Sequence, residues 1–246
     1  NKLISIDHFK VINKLINSSK IMPSLIGFHG QTIYHSAKNK ISIQAGDSDL
    51  LCNLAKINIV SNFRNKDIQF GGQGAPISPI YHKYLASSLK LPLPCCFLNI
   101  GGVANISYID NNELIGFDTG PGNGLMDLYV QKHLKIPFDV SGRFSSIGTI
   151  DFEIVNTFFQ DLFFKQSYPK TLDRKQFHNI FEMENFKFLS IENALATLSE
   201  ITALSITKSI DLLPKLPKIL IRTRHFLKLL INIFIVNFLW RFSWLL

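Results

Sequence analysis

An α/β fold in two successive domains follows from three features of this 246-residue sequence. Short apolar β-type runs are followed by helix-period segments in two consecutive blocks. The segment Leu-Pro-Leu-Pro at 91–94 separates the blocks, and glycine-rich turns punctuate the strands of both. The expected division is residues 1–92 for the first domain, 93–217 for the second, and 218–246 for a tail of different texture.

Residues 9–18 read weakly as a helix, and SLIGF at 24–28 as a short buried strand ending in the loop HGQT. NKISIQAGD alternates like a strand, DLLCNLAK suits a short helix, and INIVSNF is a further strand. FGGQGAP breaks the chain before the helix-like SPIYHKYLASSL. Beyond the prolines, CCFLNIGG, ANISYID and LIGFD form three β-type runs joined by Gly-Gly and Asp-Asn-Asn-Glu turns, the pattern of an antiparallel meander. The helix GLMDLYVQKHL follows, with Leu125, Leu128 and Tyr129 on one face, and IENALATLSEITALSIT places Ile191, Leu195, Leu198 and Ile201 at helical spacing.

With 46% apolar residues the chain has material for a real core and is not a disordered protein. Its formal charge is +8, but residues 218–246 carry five Lys or Arg and no acid, which leaves +3 for the first 217. No basic run with interleaved aromatics marks a nucleic-acid surface. Three cysteines, two of them adjacent, make neither a disulfide framework nor a metal-ligand spacing and suit a reducing cytoplasm. NKLISIDHFK lacks the basic, apolar and small-residue succession of a signal peptide. LLINIFIVNFLWRFSWLL at 229–246 is apolar at 14 of 18 positions and reads either as a marginal membrane span or as out-of-frame translation. In a chain rich in Ile, Asn, Lys and Phe, the second reading is preferred, and no membrane partner is expected.

In GFDTGPGN the chain leaves a strand, turns through Thr119 to Gly122, and enters a helix that Asn123 can cap. Gly120 and Gly122 are expected to allow positive φ and to clear space for a ligand. Unpaired backbone N–H groups and the positive helix end would then form an anion site. Asp118 beside that site is suited to accept a proton, since its own charge would repel a phosphate. Two other readings stand: Asp118 closes an Asx turn, or Asp-Thr-Gly belongs to an aspartic protease, which needs a second such aspartate. FHGQTIYH gathers His29, Gln31 and Thr32, and NFRNKDIQFGGQGAP joins Arg64 and Asp67 to a glycine-rich loop, a mixture of polar side chains and bare backbone suited to a hydroxyl-rich sugar.

Together and in this order, IGFHGQTIYH, NFRNKDIQFGGQGAP, NIGGVANIS, GFDTGPGNGLMD and ATLSEITA closely resemble the anhydro-N-acetylmuramic acid kinases, from about residue 24 to about residue 220. The resemblance implies the actin-like ATPase superfamily, with two ribonuclease-H-like domains around a cleft, the first incomplete in this chain. It implies ATP and Mg²⁺ as cofactors, the amino sugar 1,6-anhydro-N-acetylmuramic acid as substrate, and a homodimer among the partners. The implied reaction, in peptidoglycan recycling, is opening of the anhydro ring by water with phosphorylation of O6. Asp118 then resembles the general base, and Thr119, Gly120, Gly122 and Asn123 the second phosphate loop. His29, Gly30, Gln31, Thr32, Arg64 and Asp67 fall in the sugar-pocket motifs, with Lys170 and Arg174 of PKTLDR in a more loosely matching segment.

The departures are specific. No Gly-Thr-Ser-x-Asp-Gly phosphate hairpin precedes Asn1, RTRHFLKLL follows KILI where a Cys-Gly-Gly-Gly nucleotide loop is expected, and Asn62 stands where the family has aspartate. A polypeptide without those elements is expected to have negligible kinase activity alone and to aggregate, leaving a sugar-binding remnant as the alternative function.

Overall fold

The computed structural model describes residues 1–173 and 175–222, and these form two compact units, 1–77 and 78–222. Both mix helices with open sheets.

The first unit opens with α1 (Lys2–Ser19), followed by β1 (Leu25–Gly27), β2 (Gln31–Ser36), β3 (Ile41–Ala45), α2 (Ser48–Ala55), β4 (Asn58–Val60) and α3 (Asn65–Gln69). β1 and β4 pair in parallel, and β2 and β3 form an antiparallel hairpin. Asp47 begins α2 by accepting the Leu50 N–H through its side chain, the expected role of an aspartate at a helix start. The Ser5 hydroxyl of α1 donates to the Asp47 carbonyl at 2.8 Å, which ties the two helices together. Phe28, Leu51, Ile57 and Ile68 are buried apolar residues of this unit. The sequence reading placed a loop over HGQT, but Gln31 and Thr32 instead open β2, because Gly30 turns at φ 69° and sends the chain straight into the hairpin.

The second unit begins with α4 (Ser78–Ser88), then β5 (Cys95–Ile100), β6 (Val103–Ile109), β7 (Leu114–Pro121) and α5 (Gly124–Leu134). Short helical pieces follow, α6 (Phe152–Phe158), α7 (Leu162–Lys165) and α8 (Glu184–Lys187), then the long α9 (Ile191–Ile210) and β8 (Ile219–Arg222). The sheet order is β7-β6-β5-β8, with the meander antiparallel as expected and β8 parallel to β5. Residues 219–222 thus join the sheet, and α4 groups with this unit, ahead of the Leu-Pro-Leu-Pro segment.

Burial on both faces explains why β5 is apolar at every position but Asn99. Cys96, Leu98 and Ile100 pack with Ile206 and Ile210 of α9 on one face, while Cys95 and Phe97 pack with Ala86 of α4 on the other. Burial pushes the Cys96 thiol up to about 12, so it stays protonated and chemically inert. A third cluster joins α5, α6 and α9 through Leu125, Val130, Ile154, Phe158 and Leu195. α9 is therefore buried on more than the single face its periodicity suggests, since it has the sheet on one side and α5 and α6 on the other.

His82 of α4 lies inside this packing, its Nδ1 2.8 Å from the Ser107 hydroxyl and its ring stacked at 4.5 Å on Phe97. Burial lowers its pKa from the ordinary 6.5. The unfolded chain then binds more protons than the folded one as pH falls below 6.5, so stability is lost on acidification. Urea midpoints followed from pH 7 to pH 5 should fall in the parent and fall less steeply in His82→Gln, which does not titrate; equal slopes would contradict this.

Candidate functional site

The Asp118 motif sits at the end of β7, on the outer strand of the second unit's sheet. A bulge between Ala104 and Asn105 interrupts the β6–β7 register at this point, so that Asn105 faces Asp118 and Ala104 faces Gly120. Asp118 is 8% exposed and Thr119 fully buried. Residues 170–172 run beside the strand: the Asp118 N–H donates to the Lys170 carbonyl at 3.1 Å, and the Leu172 N–H donates to Asp118 Oδ2 at 2.8 Å. The carboxylate is therefore oriented by backbone from a segment 54 positions away, which separates it from a local Asx turn.

The turn after Asp118 differs from its sequence-based expectation in one physical respect. The N–H groups of Gly122 and Gly124 donate to the Gly102 carbonyl at 3.1 Å, and that of Asn123 to the Gly101 carbonyl at 2.7 Å. These donors are thus engaged by the Gly-Gly turn between β5 and β6 and are not a ready anion cradle. Gly122 does not adopt positive φ; its lack of a side chain admits the Gly101 carbonyl. Gly120 does turn, at φ 155°, and a Cβ there would lie 2.7 Å from Ser205 of α9. Asn123 occupies the position before α5, but its αR backbone gives no side-chain cap bond. What the turn does offer is two buried polar atoms without hydrogen-bond partners, Thr119 Oγ1 and Asn123 Oδ1, beside the positive end of α5. An Asn amide can be turned to present its NH₂ in place of its oxygen.

Helix α9 holds the turn from beneath. The Thr202 hydroxyl donates to the Gly122 carbonyl at 2.8 Å, and the Ser209 hydroxyl lies 3.4 Å from the Thr119 carbonyl. Sequence reading missed this role, although hydroxyls at 202, 205 and 209 share one helical face, a legible signal. Thr202→Val should cost about 1–3 kcal/mol in unfolding free energy by leaving a buried carbonyl unmet, and Thr202→Ser should recover most of it. Chemical denaturation of the two variants measures the difference.

Lys170 is 5% exposed, and its ammonium donates to the Phe163 and Gln166 carbonyls at 3.3 and 3.2 Å, 4.6 Å over the Phe163 ring. Burial lowers its pKa. Its side chain thus anchors the 170–172 segment at the end of α7. Arg174 lies outside the described residues.

In the first unit three predicted residues do come together. Arg64 donates from Nε to His29 Nε2 at 3.1 Å and from NH1 to the Gly74 carbonyl at 2.7 Å. Asp67 Oδ2 accepts the Gly74 N–H at 2.7 Å. Since His29 Nε2 accepts, its proton resides on Nδ1, which donates to the Gly30 carbonyl at 2.9 Å. A neutral imidazole, a guanidinium and a carboxylate thus surround the glycine-rich loop. Gln31 is exposed and Thr32 half-buried at the start of β2. His35 of β2 faces the same loop: its Cε1 would lie 3.3 Å from a Cβ at Gly74. Its Nε2 is buried without a partner, and burial and the Arg64 charge lower its pKa.

Among the described residues no group of three or more His, Cys, Asp or Glu could hold a metal ion, and no helix is long and apolar enough to cross a membrane. The apolar segment 229–246 lies outside the described residues.

The family model for anhydro-N-acetylmuramic acid kinase matches residues 3–222. A protein of that name from Pelagibacter ubique is 42% identical over 212 residues, covering 84% of this chain and 55% of the relative. Relatives of the same name from Rhodopseudomonas palustris and Zymomonas mobilis are each 38% identical, covering 88% and 87% of this chain and 59% of their own lengths. The chain therefore spans little more than half the length of the curated relatives it matches. The aspartic-protease reading and the sugar-binding-remnant reading gain no support from these matches, and the helix α5 directly follows Asp-Thr-Gly-Pro-Gly-Asn.

Proposed function

The chain belongs to the anhydro-N-acetylmuramic acid kinase family, and from that premise we propose that the protein is an ATP-dependent sugar kinase acting on 1,6-anhydro-N-acetylmuramic acid. The product is N-acetylmuramic acid 6-phosphate, and the setting is peptidoglycan recycling in the cytoplasm. The two compact units each correspond, in this proposal, to a ribonuclease-H-like domain of the actin-like ATPase kind.

The observation that carries the proposal is the placement of Asp118: nearly buried, its carboxylate oriented by the Leu172 N–H, at the lip of a turn leading into a helix N-terminus. Water donates a proton to that carboxylate as its oxygen bonds to the anomeric carbon. The bond from that carbon to O6 breaks, and O6 takes the γ-phosphoryl group while the bond to the β-phosphate oxygen of ATP breaks, giving ADP. Thr119 and Asn123 are assigned to the phosphates because their buried polar atoms lack protein partners and α5 supplies a positive end. Gly120 and Gly122 keep the turn tight against α9 and the Gly-Gly turn. Mg²⁺ neutralises phosphate charge when bound, and it is usually held by phosphates, water and one or two carboxylates without a full protein cage.

His29, Arg64 and Asp67, with Gly30, Gln31 and Thr32, are assigned to the sugar. Their mutual hydrogen bonds hold donors and acceptors in fixed positions around bare backbone. Lys170 is assigned an indirect part, since its ammonium is engaged with carbonyls while its own carbonyl takes the Asp118 N–H. Arg174 keeps its assignment to the sugar from the motif alone. A homodimer is part of the same proposal.

The test is ADP formation by the protein with ATP and Mg²⁺, in the presence and absence of the anhydro sugar. Formation that requires the sugar supports the reading. Formation independent of the sugar overturns it, as does failure of the anhydro sugar to bind in a calorimetric titration; sugar binding without ADP formation is the result expected of a chain that lacks the phosphate hairpin and the Cys-Gly-Gly-Gly loop.

A further inference from the structure

A concavity in the second unit takes no part in the proposed reaction. It has a volume of about 470 Å³ and lies along the C-terminal half of α5, opposite α8 and the 3-10 turn at His178–Glu182. The turn after Asp118 enters the other end of α5, and the α5 residues of the lining, Leu128 to His133, stand four to nine residues further on, roughly 6–14 Å along the axis at 1.5 Å per residue. The volume falls in the range of small-molecule sites.

Its floor is aromatic. Tyr129 meets Phe186 edge-on at 5.6 Å and stacks with Phe181 at 6.1 Å, while Phe181 and Phe186 are 5.8 Å apart. Tyr129 and Phe186 belong to the buried core, so this floor is rigid. The rim is basic: Lys132 and His133 come from α5, His178 from the 3-10 turn, and Lys187 from α8. Glu182 is the one acid in the lining, and it is paired with Lys187 at 3.1 Å. Lys132 has no acidic partner among the described residues, so the lining carries excess positive charge even with both imidazoles neutral. The His178 ring packs 6.3 Å from Phe181, and its Nε2 has no hydrogen-bond partner in the protein.

An aromatic wall of mutually inclined rings, with the His133 ring 4.3 Å from Tyr129, an uncompensated ammonium and two imidazoles match a planar ring bearing one negative group. We infer that this cavity is a second binding site, for a small aromatic carboxylate whose ring lies against Tyr129 and Phe181 and whose acid group faces Lys132 and the imidazoles. It does not depend on the kinase proposal, because none of these residues belongs to that site.

The test is calorimetric titration of the full chain with 4-hydroxybenzoate and, separately, with its neutral methyl ester. Saturable binding of the acid and at least about tenfold weaker binding of the ester are expected. Lys132→Gln, an exposed change that leaves packing alone, should weaken the acid about three- to fivefold, as an exposed charge contact does. Phe181→Ala should weaken it by up to about tenfold. No saturable binding, an ester as tight as the acid, or an acid affinity unchanged in both variants each overturns the inference.

Discussion

Asp118→Asn is expected to lower sugar-dependent ADP formation about 10²- to 10⁴-fold, the range of a general base, while the protein stays folded and binds the sugar as before. The two halves of that expectation have separate physical grounds. The amide oxygen of asparagine still accepts the Leu172 N–H that now lies 2.8 Å from Asp118 Oδ2, so the contact with residues 170–172 survives. An amide cannot take a proton from water near neutral pH, so the chemical step does not. Initial rates at saturating sugar, paired with calorimetric titration of the sugar into the same variant, separate the two. A variant that keeps more than about a tenth of the parent rate would show that the proton goes elsewhere.

Gly122→Ala is expected to be the most disruptive change to stability in the same region, at about 2–5 kcal/mol. A Cβ at Gly122 would overlap the Gly101 carbonyl oxygen, a backbone atom with little freedom to move. Forcing the two turns apart also breaks the hydrogen bonds from Gly122, Asn123 and Gly124 to Gly101 and Gly102. At about 2–4 °C per kcal/mol for a chain of this size, the melting temperature should fall by roughly 4–20 °C. Gly101→Ala is the control, because a Cβ there meets Val103 O at an ordinary 3.5 Å. If both substitutions shift the melting temperature equally, the interlocked turns do not carry the stability assigned to them.

The two variants probe different parts of one arrangement. Asp118 is where the proposed chemistry happens; the Gly101–Gly102 turn, Thr202 and residues 170–172 hold it there. A loss of rate in Gly122→Ala at a temperature where the protein remains folded would place the Gly-Gly turn among the residues that position the site. In motif terms NIGGVAN looked like a device for turning two strands. In the fold it also takes the N–H groups that open α5.

Most of the element order was legible. The meander of β5, β6 and β7, the helices α2, α4, α5 and α9, and the strands β1, β3 and β4 sit where periodicity and turn residues put them. The family resemblance was legible too, because the motifs are short, contiguous and specific, and the family model covers the same stretch. The elements missed were β2, whose start looked like loop because Gly30 precedes it, α3, hidden by the glycines after it, the short helices between 140 and 187, and β8, whose residues 219–222 are assigned by sequence to the tail. Each of those short helices has three to seven residues, too few turns for a helical period to show.

Residue types and their local order determined that the chain is an α/β protein of this family with an acid at the end of a strand, since strand alternation and motif spacing are properties of neighbours. Folding decided what the polar groups can do. Lys170 turns its ammonium to carbonyls, His29 keeps its proton on Nδ1 because Arg64 donates to Nε2, and the N–H groups of Gly122 to Gly124 are taken by Gly101 and Gly102. Those outcomes are settled by hydrogen bonds between groups 20 or more positions apart in most cases, and no local pattern states which distant partner will arrive first.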